Sequence, residues 1–224
     1  MKKSVLLLAL VAATLLGCQG DEAGSVALPD GAEPFGIEGS YALGMIMGLD
    51  FRSGGIFPDI DEFARGLRDA LAGETRITID EAVNVLESAY LGMLRDREAR
   101  FLAENALRSG INVTASGLQF EVLVEGDGAR PGPTDIVRVH YEGALVTGAV
   151  FDSSFARGFP EQFSLDMVIP GWAEGIQLMT EGSVYRFFIP SALGYGPGGV
   201  EQFIPPYATL VFEVQLIGIV ESDG

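Results

Sequence analysis

From Leu118 onward the apolar positions fall into short runs with the texture of strands. Leu118–Val124 and Ile136–Tyr141 alternate, while Val184–Ile189 and Leu210–Ile219 are rich in β-branched and aromatic residues. Both patterns predict strands. Turn signals separate them at Glu125-Gly126-Asp127-Gly128, Pro131-Gly132-Pro133, Gly196-Pro197-Gly198-Gly199 and Pro205-Pro206. One short helix is predicted over Ala173–Met179. About five strands with a short helix make residues 111–224 an α+β domain.

Upstream the period becomes helical. Tyr41, Leu43, Met45 and Leu49 form a short helical stretch from Ser40 that Gly44 and Gly48 weaken. Asp59 and Glu62 fit a capping box ahead of Phe63, Leu67, Ala70 and Leu71, and Gly73 ends that helix. Thr78 and Glu81 open a third, in which Ala82, Leu86, Ala89, Tyr90, Met93 and Phe101 recur on one side until Gly110. At 1.5 Å per residue it would run ~45 Å, more than a small domain is wide. Two short helices cannot cover so long a stripe. Residues 40–110 are therefore expected to pair with a second copy of the chain, as an all-α dimerisation domain with a long connecting helix. The run Arg95, Asp96, Arg97, Glu98 and Arg100 reads as a solvated face.

The N-terminus has a different character. Lys2-Lys3 and the apolar run Val5–Leu16 form the n- and h-regions of a secretory signal over residues 1–17. The run is shorter than the ~20 residues a bilayer span needs. Leu15-Leu16-Gly17-Cys18 resembles the lipobox of bacterial lipoprotein leaders. That resemblance implies lipidation at Cys18 and a lipid-anchored protein on the periplasmic side of the envelope, where several acyl chains hold stably. Gln19, in place of Asp, implies the outer membrane over the inner. Residues 18–39, rich in Gly, Asp, Glu and Pro, read as a flexible tether.

Composition narrows the function. The chain has 224 residues, 48% of them apolar, which excludes wholesale disorder. Its 31 acidic residues against 14 basic give a net charge of −17, and such a chain repels nucleic acid. Both lysines lie in the leader, and every other basic residue is Arg; coding bias or salt adaptation would each produce that. A single Cys allows no intramolecular disulfide. No Cys/His cluster suggests a metal, and the Gly-rich 196–199 stretch lacks the Lys of a phosphate-binding loop, so no cofactor is expected. His140 has no nucleophile motif beside it and reads as a structural hydrogen-bonding residue. What remains is aromatic and apolar.

Order and spacing then decide. Val139-His140-Tyr141-Glu142-Gly143, Gly148-Ala149-Val150-Phe151-Asp152-Ser153-Ser154, Val168-Ile169-Pro170-Gly171-Trp172, Gly194-Tyr195-Gly196 and Ile204–Phe212 together resemble the FKBP-type peptidyl-prolyl cis-trans isomerases over about residues 116–220. Tyr41–Gly44 through Gly66–Leu71 resembles the helical domain of two-domain bacterial members, the macrophage infectivity potentiator-like group, which pair as homodimers. The resemblance implies an antiparallel sheet wrapped around the short helix, with a prolyl pocket between them. It makes Trp172 the pocket floor and Tyr141, Phe151, Val168, Ile169 and Phe212 its walls. The Ile169 amide and the Tyr195 hydroxyl would hold substrate carbonyls, and Asp152 would polarise the rim. Phe203 and Ile204 would belong to a flap. Glu161 stands where the family is usually apolar, and Phe163 is expected to serve as a wall instead.

That residue set suits rotation about a prolyl amide, which needs no proton moved to a side chain. The expected partners are unfolded or proline-containing polypeptides of the envelope. Two other readings use the same residues: a proline-binding holdase whose turnover is incidental, and a structural lipoprotein with an inert pocket. The intact set of Phe151, Asp152, Trp172 and Tyr195 argues against the second.

Overall fold

The computed structural model describes residues 35–220. The leader, Cys18 and most of the tether lie outside the described residues. The chain divides into two compact units, one ending at Val83 and one beginning at Asn84.

Helix α1 spans Ile37–Gly54 and α2 spans Ile60–Ala72, while α3, Ile79–Ala106, starts in the first unit and ends in the second. α1 starts ahead of the expected Ser40. Gly55 closes it at φ 66°, a left-handed cap that glycine reaches without a Cβ clash. Asp59 caps α2 by accepting from the Asp61 and Glu62 amides, both at 3.0 Å. Glu62 does not complete the expected box; its carboxylate pairs with Arg65 at 2.8 Å. The second box forms in full. The Thr78 amide donates to Glu81 Oε2 at 2.8 Å, and the Glu81 amide donates to Thr78 Oγ1 at 3.2 Å. Neither α1 nor α2 has a buried residue. Tyr41, Leu67 and Leu71 are 75%, 52% and 64% exposed. A cleft of about 480 Å³ opens between α2 and the chain entering α3, lined by Ala70, Ile77, Ile79 and Ala82 among others.

The second unit is built on one antiparallel sheet. Its strands are β1 Ile111–Val113, β2 Gln119–Val124, β3 Ile136–Leu145, β4 Val150–Ser153, β5 Glu161–Ser164, β6 Val184–Ile189 and β7 Leu210–Val220. They run in the order β1-β2-β6-β7-β3-β4. β5 shares the outer edge of β3 with β4, pairing Ile136–Val139 while β4 pairs Glu142–Ala144. Seven strands form where about five were expected. Three of the seven, β1, β4 and β5, are three or four residues long, too short for alternation to show.

The short helix, α5, spans Pro170–Ile176 instead of Ala173–Met179. Pro170 at its first turn has no amide to lose and a φ already set for a helix. Beyond Ile176 the chain tightens into three-residue turns, Leu178 N to Gly175 O at 3.0 Å and Met179 N to Ile176 O at 3.1 Å. α5 lies flush on the sheet because Gly171 carries no side chain; a Cβ there would meet Ile189 at 2.4 Å. Leu118, Val137, Ile176, Phe187, Leu210 and Val214 are fully buried between them.

The end of α3 packs on the sheet. Phe101 packs on Phe188 with centroids 6.2 Å apart. Asn105, 3% exposed, donates to Gln119 Oε1 at 2.8 Å, and Gln119 Nε2 returns a bond to the Leu102 carbonyl at 2.8 Å. Arg95, Asp96, Arg97 and Arg100 face solvent as expected, but Glu98 does not, because it turns to Ser191.

Candidate active site

Strands β3, β4, β5 and β7 and helix α5 bring five aromatic residues together. Trp172, in the first turn of α5, is 4% exposed. Three rings stand edge-on to it: Tyr141 from β3 at 5.1 Å, Phe212 from β7 at 5.2 Å and Phe163 from β5 at 5.3 Å between centroids. Phe151 from β4 is edge-on to Phe212 at 5.5 Å and meets Trp172 through that ring. Edge-to-face contact sets the positive rim of one ring against the negative face of another. Room for this cage comes from Gly143, paired with Phe212 across β3 and β7. A Cβ at Gly143 would sit 2.5 Å from Phe212 and 2.8 Å from Phe151. The Trp172 Nε1 is buried and has no partner among the described residues.

A polar network borders the cage. The Tyr141 hydroxyl donates to Asp152 Oδ2 at 2.6 Å and accepts from Arg157 Nη2 at 2.8 Å. Arg157 Nη1 also donates to Asp152 Oδ1, and its Nε pairs with Glu161 Oε1 at 2.6 Å. The one-turn helix α4, Ser154–Arg157, puts Arg157 there; Ser153 caps it by accepting from the Ala156 amide at 3.2 Å. Burial, reinforced by the bond to Asp152, pushes the Tyr141 phenol up to about 12. Burial also raises Asp152, but the hydrogen bonds from Tyr141 and Arg157 outweigh it and hold the carboxyl below its ordinary value. Near neutral pH the phenol is therefore neutral and Asp152 is ionised. Glu161, expected at an apolar wall position, is drawn aside by Arg157, and Phe163 fills that side of the cage.

Other candidate residues are placed less centrally. Val168 and Ile169 precede α5 and pack on the core. The Ile169 carbonyl accepts from the Trp172 amide at 2.9 Å and from Ala173 at 3.1 Å, while its own amide donates to nothing among the described residues. Tyr195 is 41% exposed, and its hydroxyl has no partner among the described residues. Ile204 is buried in the core, held by two backbone bonds with Val200 at 2.8 and 2.9 Å. Phe203 beside it is 66% exposed and makes no ring contact with the cage. His140 Nδ1 lies 3.0 Å from Ser154 Oγ, and its ring stacks on Phe155 at 4.7 Å. Ser154 Oγ also accepts from the Tyr141 amide at 2.8 Å, so His140 sits behind the cage as a structural group.

Sequence reasoning missed Arg157. The signal was present: it is the only Arg or Lys between Arg138 and Arg186. An aromatic cage bordered by the ionised Asp152 and its Arg157 partner can enclose an apolar ring while a polar chain beside it meets the rim.

Comparison with known proteins agrees. A family model described as FKBP-type peptidyl-prolyl cis-trans isomerase matches residues 128–217, and one described as the domain amino terminal to it matches residues 38–122. The chain is 38% identical to the FKBP-type peptidyl-prolyl cis-trans isomerase FkpA of Aeromonas hydrophila, over 99% of this chain and 96% of that one. It is 37% identical to the outer membrane protein MIP of Legionella longbeachae, over 80% and 84% of the two chains. The crystal structure of FkpA from Escherichia coli matches with a TM-score of 0.54 at 32% identity, covering 81% of this chain and 95% of that one. The chain belongs to the FKBP-type peptidyl-prolyl cis-trans isomerase family and is an enzyme of that activity.

Proposed function

We propose that the ring cage is the prolyl pocket and that the protein accelerates proline-limited folding of envelope proteins. Prolyl rotation faces a barrier of about 18–20 kcal/mol, because the planar amide must lose its resonance. The twisted amide is less dipolar than the planar one, so a dry aromatic cavity favours it over the ground state. Trp172 is the floor, with Tyr141, Phe151, Phe163, Val168, Ile169 and Phe212 as walls. The Ile169 amide and the Tyr195 hydroxyl, neither engaged within the described protein, take the substrate carbonyls. Asp152 polarises the rim, and Phe203 and Ile204 belong to the flap that meets the chain around the proline. Three rings edge-on to Trp172 are the observation that carries this reading.

Residues 1–17 are a leader, 18–39 a tether, 40–110 the pairing region and 111–224 the isomerase domain. Two helices without a buried residue support pairing, since the second copy would cover what α1 and α2 leave exposed. Acylation of Cys18 would anchor the dimer at the membrane, the outer one by the Gln19 rule. The name outer membrane protein MIP, carried by a relative, is consistent with that location.

The test is a pair of assays on the full mature chain: isomerisation of a prolyl peptide, and proline-limited refolding of a denatured protein. Acceleration of both is expected. A second reading, a proline-binding holdase, draws on the exposed apolar surface of α1 and α2. Suppressed aggregation without faster refolding would establish it in place of the enzyme reading.

A further inference from the structure

We propose that Glu98 on α3 is a positioning residue for the isomerase site, acting through Ser191 on the loop that carries Tyr195. The inference rests on the reading of Tyr195 as a substrate-holding group. Glu98 Oε1 accepts from the Ser191 amide at 2.5 Å, and Oε2 accepts from Ser191 Oγ at 2.8 Å, across 93 residues of chain. Ser191 is 5% exposed and opens the three-residue turn Ser191–Leu193. The first amide of such a turn has no partner inside it, and the preceding Pro190 has no side chain to cap it. Glu98 supplies that cap from another element. Both carboxylate oxygens are engaged, so the contact fixes orientation as well as distance.

The rest of the loop passes this constraint on. The Leu193 amide donates to the Pro190 carbonyl and the Gly194 amide to the Ser191 carbonyl, both at 2.9 Å, and Tyr195 follows directly. Gly194 lies close to Leu210, where a Cβ would come within 3.1 Å. One end of the turn is thus held by the core and the other by α3. No hydrogen bond to another described residue holds the Tyr195 hydroxyl, so its place depends on the loop, which the Tyr207 amide ties again at the Gly196 carbonyl, 3.2 Å away. α3 does not need Glu98 for its own docking, which Phe101 on Phe188 and Asn105 with Gln119 already provide. What the carboxylate adds is a fixed loop.

The test uses the full mature chain with Glu98→Ala, Glu98→Gln and Ser191→Ala, each alone and combined with Tyr195→Phe. The readouts are kcat/KM on a prolyl peptide and Tm. Glu98→Ala is expected to lower kcat/KM on the order of ten-fold, the worth of one well-aligned hydrogen bond in the transition state. Glu98→Gln keeps the shape and a carbonyl for the Ser191 amide, so it should stay within about two-fold of wild type. Ser191→Ala keeps the amide bond and should fall between them; it carries the same cycle if Glu98→Ala does not fold. In the Tyr195→Phe background neither truncation should cost more, because the group being positioned is gone. Truncation that lowers Tm at wild-type kcat/KM, or whose effect multiplies with that of Tyr195→Phe, overturns the proposal. Tyr195→Phe with wild-type kcat/KM would instead overturn the assignment of Tyr195, whatever the truncations do.

Discussion

Truncating Trp172 to Ala removes the ring that stands edge-on to three others. The indole is 4% exposed, and loss of a buried Trp costs about 3–5 kcal/mol. Its edge-to-face contacts with Tyr141, Phe163 and Phe212 account for ~0.5–1.5 kcal/mol each within that sum. Against a total stability of about 5–15 kcal/mol, the variant should fold with a Tm lower by roughly 10–20 °C. Catalysis should fall further than the population of folded protein does. A prolyl ring presents three methylenes at ~0.8 kcal/mol each when buried, so losing the floor beneath them forfeits about 1–2 kcal/mol. That is roughly a ten-fold drop in kcat/KM, before counting the dipolar ground state that water in the opened cavity would restore. Trp172→Phe keeps an aromatic floor and should lose less. The assay is isomerisation of a prolyl peptide near 10 °C, where the uncatalysed reaction takes minutes and the variant is well below its transition. Folded Trp172→Ala with kcat/KM within about two-fold of wild type would refute the assignment of the cage as the prolyl pocket.

Other predictions concern the remaining parts. The mature chain should sediment as a dimer, and Leu71→Asp on the exposed face of α2 should give a monomer that still isomerises short peptides; a monomeric wild type contradicts the pairing region. An isomerase fragment should start at Asn84, because starting at Asn112 leaves the buried Gln119 without Asn105 and costs about 1–3 kcal/mol, read in denaturant melts. Asp152 is held below its ordinary value, so its stabilisation is complete at neutral pH and is lost as pH falls through the carboxylate range; Asp152→Asn should flatten that acid limb while lowering kcat/KM less than Trp172→Ala does. Tyr141 is pushed up to about 12, so the fold should lose stability as pH rises from about 10 towards 12; Tyr141→Phe should lessen that loss, and the part that stays belongs to Tyr185, whose phenol burial also raises. Cys18→Ser should release the protein from the membrane fraction or leave unprocessed precursor.

Much of this architecture is legible in the amino-acid sequence because its parts are long or chemically marked. β6 occupies Val184–Ile189 as read, and β7 exceeds its predicted range by one residue, since each carries its own apolar pattern. The Thr78/Glu81 box forms because both bonds are local. The five residues of the ring cage are picked out by the resemblance of their motifs to FKBP-type isomerases; spacing alone does not separate them from core aromatics. Features made by distant groups were not legible. β1, β4 and β5 exist because a neighbouring strand offers an edge, and three or four residues cannot signal that. Arg157 is marked in the sequence only as a lone basic residue in its stretch, and it is α4 that places it against Asp152, Tyr141 and Glu161. Glu98 sits in a charge run whose other members are solvated, and only Ser191, far along the chain, distinguishes it.

Under the proposed function the site works by apolar enclosure, without transferring a proton to a side chain. The most direct measurement is kcat/KM for one prolyl peptide across about pH 5.5 to 8.5 in wild type and His140→Gln. The Tyr141 phenol stays neutral and Asp152 stays ionised throughout that window, and His140 is engaged with Ser154 behind the cage. The profile should therefore be flat in both proteins, with His140→Gln costing stability more than rate. A sigmoid within that window in wild type that disappears in His140→Gln would make the histidine the catalytic group and overturn the apolar mechanism.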